Sequence, residues 1–272
     1  MSFSEHRQNG LLWETADLIP AVHAFTTRYG GASSGIWSSL NLGFSRGDDP
    51  ACVAENFDRL CAVLGIDRGK LCFTRQVYGT EVRPVTAADA HVFFTPVPYE
   101  ADGLVTDEPG VALICFAADC VPILLCDPVR GTVGAVHAGW KGTAGGIAGK
   151  AVQIFSDRYG SRPEDVRAAI GPHIGECCYE TGPEVAEAMR DALGKEAEPF
   201  CVPRGEKFHV DLGGLNRAML LRAGLTEDHI ALSRECTMCH PEKFWSHRYT
   251  KGRRGVQAAV IMRSSGGARC GD

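Results

Sequence analysis

The sequence predicts a fold of mixed α/β layers, with helices packed on sheets that combine parallel and antiparallel strands. The second half of the chain alternates short apolar runs, which are typical of strands, with apolar residues at helical spacing. The middle of the chain is rich in hairpin signals, and hairpins join antiparallel strands, so a purely parallel sheet is not expected. With 272 residues and no Pro/Ser-rich linker, the chain is expected to form a single domain over residues 1–272.

The predicted elements follow from local signals along the chain. The first 50 residues are rich in turn formers, and their glycines are expected to let backbone N–H groups approach a ligand. Asp49-Pro50 begins the first predicted helix, and Gly65 ends it. The predicted helices cover residues 51–64, 147–159, 182–193 and 212–223. The predicted strands cover residues 71–77, 81–85, 111–116, 122–126, 131–137, 166–170, 199–203, 229–233 and 256–262, with a turn at 78–80 between the first two.

The hairpin over residues 122–137 brings a cysteine and a histidine together at its open end. Its connecting segment begins with Asp-Pro, which a type I turn favours. A four-residue loop pairs Cys126 with Gly131, and counting back along the ladder then places Cys120 directly opposite His137. Residues in such a pair share one face, with Cβ atoms roughly 4.5–5.5 Å apart, whereas a slip of one residue would place them on opposite faces.

A cysteine beside a histidine on adjacent strands has two chemical interpretations. An imidazole can activate a thiol as a nucleophile, and the same two groups are ligands of zinc or copper. The structural alternative is a buried cysteine next to a structural histidine. The flanking Asp119 and the glycine-rich loop over residues 138–146 favour a functional site.

The overall composition restricts the partners and the location that we expect. The formal charge of −5 argues against a large nucleic-acid surface and favours a small-molecule partner. No run of 18 apolar residues indicates a membrane span, and the polar start MSFSEHRQNG lacks an apolar signal region. We therefore expect a cytoplasmic protein whose twelve cysteines are reduced, most of them as core residues.

A second cysteine motif gives a weaker signal. The segment Cys236-Thr237-Met238-Cys239-His240 matches the haem-attachment pattern C-x-x-C-H, which requires export. A zinc knuckle would need a second ligand pair nearby, and His240 and His247 lack the usual spacing. The sequence therefore favours a loop without a haem or zinc role over residues 236–240.

The glycine-rich loop over residues 138–146 is a candidate anion site. It opens a predicted helix, so free N–H groups and the helix dipole could hold phosphate or a ribosyl group, together with Arg28 or Arg248. The loop does not match the P-loop pattern, and nothing in the chain matches G-x-G-x-x-G, so nucleoside triphosphates are not expected. The structural alternative is a tight turn.

Six segments carry a resemblance to a known family. In order, they are TTRYGGASSGIWSSLNLG, RQVYGTEV, EADGLVTDEPGVALICFAADCVPILLCDP, GAVHAGWKGTAGGI, AAIGPHIGECCYE and CTMCHPEKFWSHR. They resemble the successive signatures of the YfiH/YlmD family, which is described as multicopper polyphenol oxidoreductase or laccase-like and also as purine nucleoside phosphorylase with adenosine deaminase activity. The resemblance covers residues 22–262. It implies a four-layer α/β/β/α sandwich with mixed sheets, related to toxin-type cysteine deamidases.

The resemblance also implies a zinc or copper ion held by two histidines and one cysteine. The family's cysteine falls on Cys120 and one histidine on His137, but the other histidine position is Tyr78. Neutral imidazole binds these metals readily at pH 7, whereas a phenol must first lose a proton. We therefore expect weaker metal binding than in a relative that has histidine at this position.

The activity implied by the resemblance is phosphorolysis of adenosine, inosine and S-methyl-5′-thioadenosine, together with hydrolytic deamination of adenosine. The partners are then purine nucleosides and inorganic phosphate, and a monomer is expected. We expect Arg28, Asn41 and Arg248 to contact phosphate or ribose. Asp119 is expected to order the metal ligands or to move protons.

Two alternatives to this activity stay open. One is a metal-independent cysteine hydrolase or deamidase with Cys120 as nucleophile and His137 as base. The other is a non-catalytic nucleoside-binding relative. A four-copper oxidase is not expected, because such enzymes take many ligands from His-x-His pairs and none of the nine histidines lies two residues from another.

Overall fold

Two six-stranded sheets pack face to face, and helices cover both outer surfaces. The computed structural model describes residues 2–91, 93–95, 97 and 99–264. The strands are β1 (Phe3–Gln8), β2 (Leu11–Ala16), β3 (Val22–Thr26), β4 (Leu71–Cys72), β5 (Val82–Pro84), β6 (Gly103–Thr106), β7 (Ala112–Ala117), β8 (Val121–Asp127), β9 (Thr132–Ala138), β10 (Arg167–Ile170), β11 (Glu180–Thr181), β12 (Cys201–Arg204), β13 (Lys207–Val210), β14 (Ile230–Leu232) and β15 (Gln257–Met262). The α-helices are α1 (Pro50–Leu64), α2 (Trp140–Ala144), α3 (Ile147–Tyr159), α4 (Pro183–Leu193), α5 (Leu212–Arg222) and α6 (His247–Thr250).

The strand order confirms that the sheets are mixed. The first sheet has the order β1-β2-β3-β15-β7-β4, and the second has the order β14-β10-β8-β9-β6-β5. Parallel pairs occur between β4 and β7, between β5 and β6, and between β10 and β14, whereas the other neighbours are antiparallel. A small third sheet has the order β11-β13-β12.

The apolar core is divided among the layers by the alternation of side chains along the strands. Leu124 of β8 packs with Leu113 of β7 in the cluster between the two sheets. Its neighbour Ile123 points the other way and packs with Phe155 of α3. Phe57 of α1 belongs to a cluster on the outside of the first sheet. The layers therefore follow the order helix, sheet, sheet, helix, and burial on both faces explains the continuous apolar runs of the central strands.

The predicted long helices are confirmed to within one residue at each end, because their termini carry clear signals. The Asp49 side chain accepts a hydrogen bond from the Ala51 N–H at 2.9 Å and so caps α1. Gly65 ends that helix in the left-handed conformation, which glycine adopts without steric cost. None of the helices in the described ranges is long and apolar enough to cross a membrane.

The N-terminal region and the segment around residue 78 differ from the prediction. The first 26 residues contain β1, β2 and β3, and the two-residue loop Asn9-Gly10 closes the β1–β2 hairpin with both residues at positive φ. The predicted strands at 71–77 and 81–85 are wrong as a pair, because β4 and β5 are short and lie in different sheets. The segment between them crosses from one sheet to the other.

The β8–β9 hairpin forms as predicted, but its register differs by two residues. Cys126 pairs with Val133 and not with Gly131, so His137 lies opposite Pro122. The four-residue loop extends to Gly131, which adopts a positive φ of 69°. A shift of two residues preserves the face of each side chain. Cys120 and His137 therefore remain on one face, as diagonal neighbours.

The predicted glycine-rich loop over 138–146 also differs, since it contains the short helix α2.

Candidate active site

A cysteine and a histidine lie at the open end of the β8–β9 hairpin, and both line one cavity. His137 of β9 is 3% exposed, and Cys120, which immediately precedes β8, is partly exposed. The Nδ1 atom of His137 lies 2.8 Å from the Oδ1 atom of Asp102. Because Asp102 takes Nδ1, the Nε2 atom of His137 is the ring nitrogen left for Cys120, a substrate or a metal. The structure thus brings the predicted pair together and adds a carboxylate behind it.

Asp102 is a site residue that the sequence did not reveal. It is 1% exposed, and its carboxylate accepts hydrogen bonds from the backbone N–H groups of Val77 at 3.2 Å, Tyr78 at 3.0 Å and Gly79 at 2.7 Å. Burial raises the pKa of Asp102, but the hydrogen bonds from His137 and Gly79 outweigh burial and lower the pKa below its ordinary value. One buried carboxylate therefore orients the imidazole and fixes the segment that carries Tyr78.

The imidazole of His137 is held next to two acidic groups. Burial alone would lower its pKa, but the charges and hydrogen bonds of Cys120 and Asp102 outweigh burial and raise the pKa to about 9. A carboxylate behind an imidazole that faces a thiol is the arrangement used both by cysteine nucleophiles and by histidine ligands of metals.

Tyr78 completes the group of residues at this end of the hairpin. Its backbone adopts a positive φ of 62°, and its side chain is 49% exposed. The tyrosine ring meets the His137 ring edge-on, with the ring centroids 5.3 Å apart. Tyr78 therefore lies beside the pair, at the position that the resemblance indicated. The observed contact is between its ring and the ring of His137.

Two cavities meet at Cys120 and Tyr78, which line both of them. The first cavity, of about 370 Å³, also contains His137. Its remaining wall includes the aromatic residues Phe44, Phe73 and Phe116 and the arginines Arg46 and Arg254. The second cavity, of about 310 Å³, is lined by Asp119, Trp140, Lys141, Ile174 and Tyr179. The Cys120–His137 pair therefore faces spaces large enough for a small organic molecule.

Arg254 is a second residue that the sequence did not single out. It is 6% exposed and lines the first cavity, and burial lowers its pKa. Its Nη1 atom donates to the Gly255 carbonyl at 3.0 Å, whereas Nε has no hydrogen-bond partner within the described part of the chain. No carboxylate of the described residues forms an ion pair with it. A buried cation that lines a cavity and has no carboxylate partner among the described residues is suited to an anion.

The carboxylate of Asp119 accepts hydrogen bonds from two neighbouring segments of the chain. Its Oδ1 atom accepts a hydrogen bond from the Thr237 hydroxyl at 2.7 Å, and Oδ2 accepts one from the Arg248 N–H at 2.6 Å. Asp119 is buried and adopts a positive φ of 87°. The side chain of Arg248 reaches away from Asp119 and donates to the Glu180 carbonyl at 2.8 Å.

Arg28 and Asn41 lie outside the lining of both cavities. The guanidinium of Arg28 donates to the carbonyl groups of Ser38 and Pro241. Asn41 is fully buried, and its side-chain oxygen accepts hydrogen bonds from the N–H groups of Gly43 and Val256, both at 2.9 Å. Gly43 and Val256 themselves line the first cavity. Asn41 therefore shapes the wall next to the predicted binding site.

The donor atoms of the pair fit a zinc or copper ion only in part. Cys120 offers a thiol. His137 offers its Nε2 atom, because Asp102 contacts the other ring nitrogen, Nδ1. Catalytic zinc usually takes three protein ligands. At the position where the resemblance implies a third ligand stands Tyr78, whose phenol is a weaker ligand than imidazole at neutral pH.

The mixed α/β fold, together with a buried Asp-His-Cys arrangement between two cavities, defines the class of this protein as an enzyme. The chain belongs to the family described as multi-copper polyphenol oxidoreductase laccase, whose sequence profile matches residues 22–264. This family includes the YfiH/YlmD proteins, so the resemblance expected from the sequence is confirmed.

Several relatives are similar over most of their length. The chain is 42% identical to a protein of Geobacillus stearothermophilus named purine nucleoside phosphorylase YlmD, over 89% of this chain and 90% of the relative. It is also 42% identical to a purine nucleoside phosphorylase of Deinococcus radiodurans, over 93% of each chain. The crystal structure of YlmD from Geobacillus stearothermophilus superposes with a TM-score of 0.90 at 38% identity, covering 96% of this chain and 98% of the other.

Proposed function

We propose that this protein is a purine nucleoside phosphorylase that acts on adenosine, inosine and S-methyl-5′-thioadenosine. In this reaction inorganic phosphate attacks C1′ of the ribose, the bond from C1′ to the purine nitrogen breaks, and the purine leaves with a proton. The observation that carries the proposal is the buried cation Arg254, which has no carboxylate partner among the described residues and lines the same cavity as Cys120 and His137. The names of the relatives point to the same reaction.

The first cavity supplies the contacts that phosphorolysis needs. Arg254, with Arg46 on the same wall, would hold the phosphate as a charge-assisted hydrogen-bond donor. The aromatic wall of Phe73 and Phe116 offers apolar faces on which a purine can stack. When no metal occupies its Nε2 atom, His137 would provide the proton that the departing purine takes up.

The second proposed activity is hydrolytic deamination of adenosine. A zinc or copper ion at Cys120 and His137, with Tyr78 beside them, would supply Lewis acidity for this reaction. Asp102 would orient the imidazole and Asp119 would order the loop next to the thiol. A multi-copper oxidase mechanism is not proposed, because the nine histidines of the sequence contain no His-x-His pair.

The products of nucleoside turnover test both proposed activities. The purified protein is incubated with adenosine, inosine or S-methyl-5′-thioadenosine, with and without phosphate and a chelator, and the products are separated by chromatography. We expect free purine base only when phosphate is present, and inosine from adenosine only without the chelator. Purine release that does not depend on phosphate would contradict phosphorolysis.

Replacing the buried cation gives a sharper test. Arg254→Met keeps an unbranched apolar stem but removes the charge and the donors, and a hydrogen bond to a charged group contributes about 1.5–3 kcal/mol. We therefore expect the KM for phosphate to rise by about 10- to 100-fold. Arg253→Met is the matched control, because Arg253 is exposed and the neighbouring arginine remains. An equal effect of both substitutions would contradict the phosphate role of Arg254.

One alternative has its own structural support. The Asp102-His137-Cys120 arrangement also fits a cysteine nucleophile of a hydrolase or deamidase. That function predicts alkylation of Cys120 by iodoacetamide and activity that survives a chelator. Nucleoside turnover that requires both phosphate and metal would count against it.

We also propose that the protein is a cytoplasmic monomer whose partners are small molecules, in line with its formal charge of −5. Sedimentation of the purified protein as a dimer would contradict the monomeric state.

A further inference from the structure

We propose that Cys177, Cys178, Cys236 and Cys239 bind a structural zinc ion, separate from the Cys120 site. The sulfur atoms of these four cysteines all lie within 4.8 Å of one another. The Sγ atom of Cys239 lies 3.6 Å from that of Cys177 and 3.4 Å from that of Cys178. A tetrahedral ion with Zn–S bonds of about 2.3 Å separates its sulfur ligands by about 3.8 Å. The spacing therefore fits one ion bound by all four thiolates.

Two chain segments that approach each other supply the four thiols. The segment after β10 carries Cys177 and Cys178, and the segment after β14 carries the C-x-x-C pair. A β-bridge joins His173 to Cys236, and the Thr237 N–H donates to the His173 carbonyl at 3.0 Å. These backbone contacts hold the two segments in register, so each contributes one pair of ligands. The ligand pairs are therefore in place without any movement of the backbone.

The surroundings of Cys236 suit a thiolate ligand. Its sulfur accepts a hydrogen bond from the Gly175 N–H at 3.2 Å. Hydrogen bonds from backbone amides spread the negative charge that four thiolates bring to one ion.

Four cysteines leave no open position on a tetrahedral ion, which is the composition of a structural site. A disulfide would use only two of these sulfurs and would bring them to about 2.05 Å. The convergence of all four sulfurs is explained by one ion and not by one disulfide. The Cys120 site differs, since it faces two cavities.

The proposed ion would connect the two segments to the wall of the active site. Thr237 lies between the two cysteines of the C-x-x-C pair and donates its hydroxyl to Asp119, next to Cys120. Ile174 and Tyr179, on the other segment, line the second cavity. The ion would therefore fix a wall of the second cavity without contacting the substrate.

Metal content measured on variants tests this inference. The protein is produced in a medium that contains zinc, iron and copper. The metal bound per chain is measured by elemental mass spectrometry. Cys120→Ala removes the thiol of the active site, and we expect it to retain one zinc per chain. Adding Cys239→Ser, at an exposed position, is expected to remove that zinc. Cys52→Ser, outside both sites, is the matched control and should leave the zinc content unchanged.

X-ray absorption on Cys120→Ala gives a result that does not depend on whether the cluster variants fold. We expect a zinc spectrum with four sulfur neighbours at about 2.3 Å. Zinc with nitrogen or oxygen neighbours, iron in place of zinc, or a disulfide among these four cysteines in the freshly purified protein would each overturn the inference.

Discussion

The two cysteine-containing sites of this protein differ in how many donor atoms the protein supplies. Around Cys120 there is one thiol, one imidazole and the half-exposed Tyr78, and two cavities open onto them. The cluster of Cys177, Cys178, Cys236 and Cys239 has four thiols directed at one another. Catalytic metal sites keep an open position, whereas structural sites are closed by the protein. The comparison indicates that only the first site can accept a substrate.

The two sites also differ in what holds their residues in place. His137 lies on a central strand, and the buried Asp102 carboxylate fixes its ring. The four cysteines of the cluster lie outside the two large sheets, on segments joined by a single β-bridge. A site built on strands is rigid without a metal, whereas an ion would add to the order of a site built on loops.

The largest expected effect comes from the carboxylate behind the imidazole. Asp102→Asn keeps the shape of the side chain but turns an amide donor toward the backbone N–H groups or toward His137. We expect turnover and metal affinity at the Cys120 site to fall by about 10- to 100-fold, as is typical for residues that orient a ligand. Zinc content in the four-cysteine cluster should not change.

Glu14→Gln is the matched control for this substitution. Glu14 is a buried carboxylate on β2 that pairs with Lys243, and β2 belongs to the first sheet whereas the hairpin belongs to the second. We expect it to lower the thermal stability without a specific loss of turnover at temperatures where the protein stays folded. If Asp102→Asn and Glu14→Gln reduced turnover equally, Asp102 would have a general role in stability and no positioning role.

A smaller effect, in the opposite direction, is expected at Tyr78. Tyr78→His offers a neutral imidazole beside Cys120 and His137, so we expect zinc to bind about tenfold more tightly. Competition with a coloured chelator measures this zinc affinity. The four-cysteine cluster is saturated with zinc beforehand, so that only the Cys120 site is titrated. Tyr78→Phe tests the phenol alone and should leave the affinity unchanged if the oxygen is not a ligand. Equal affinities of the wild type and Tyr78→His would refute the expectation.

Local signals were sufficient to predict the long helices and much of the core. Asp49 and Gly65 mark the ends of α1, and Cys72 and Cys115 are buried as their apolar surroundings indicated. The common face of Cys120 and His137 was also predicted correctly, because a register shift of two residues preserves it.

Long-range contacts explain what the sequence did not reveal. Asp102 lies 35 positions from His137, and no local pattern shows that this carboxylate meets the imidazole. In the same way, Cys178 lies 61 positions before Cys239, so the second ligand pair is absent from the neighbourhood of the C-x-x-C motif. Both contacts form because segments that are distant in the sequence come together in the tertiary structure.

The smallest expected effect tests whether the two sites are coupled. Thr237→Val removes the hydroxyl that donates to Asp119 and leaves one buried carboxylate oxygen without this donor. Such a hydrogen bond contributes about 1.5–3 kcal/mol. Because Thr237 contacts Asp119 and not the reacting groups themselves, we expect only a several-fold fall in turnover. Thr237→Ser restores the hydroxyl and should restore turnover. The wild type, Thr237→Val and Thr237→Ser should contain equal amounts of zinc in the cluster, because the thiols on either side of residue 237 remain. A fall in zinc with Thr237→Val would show that the hydroxyl also stabilises the cluster.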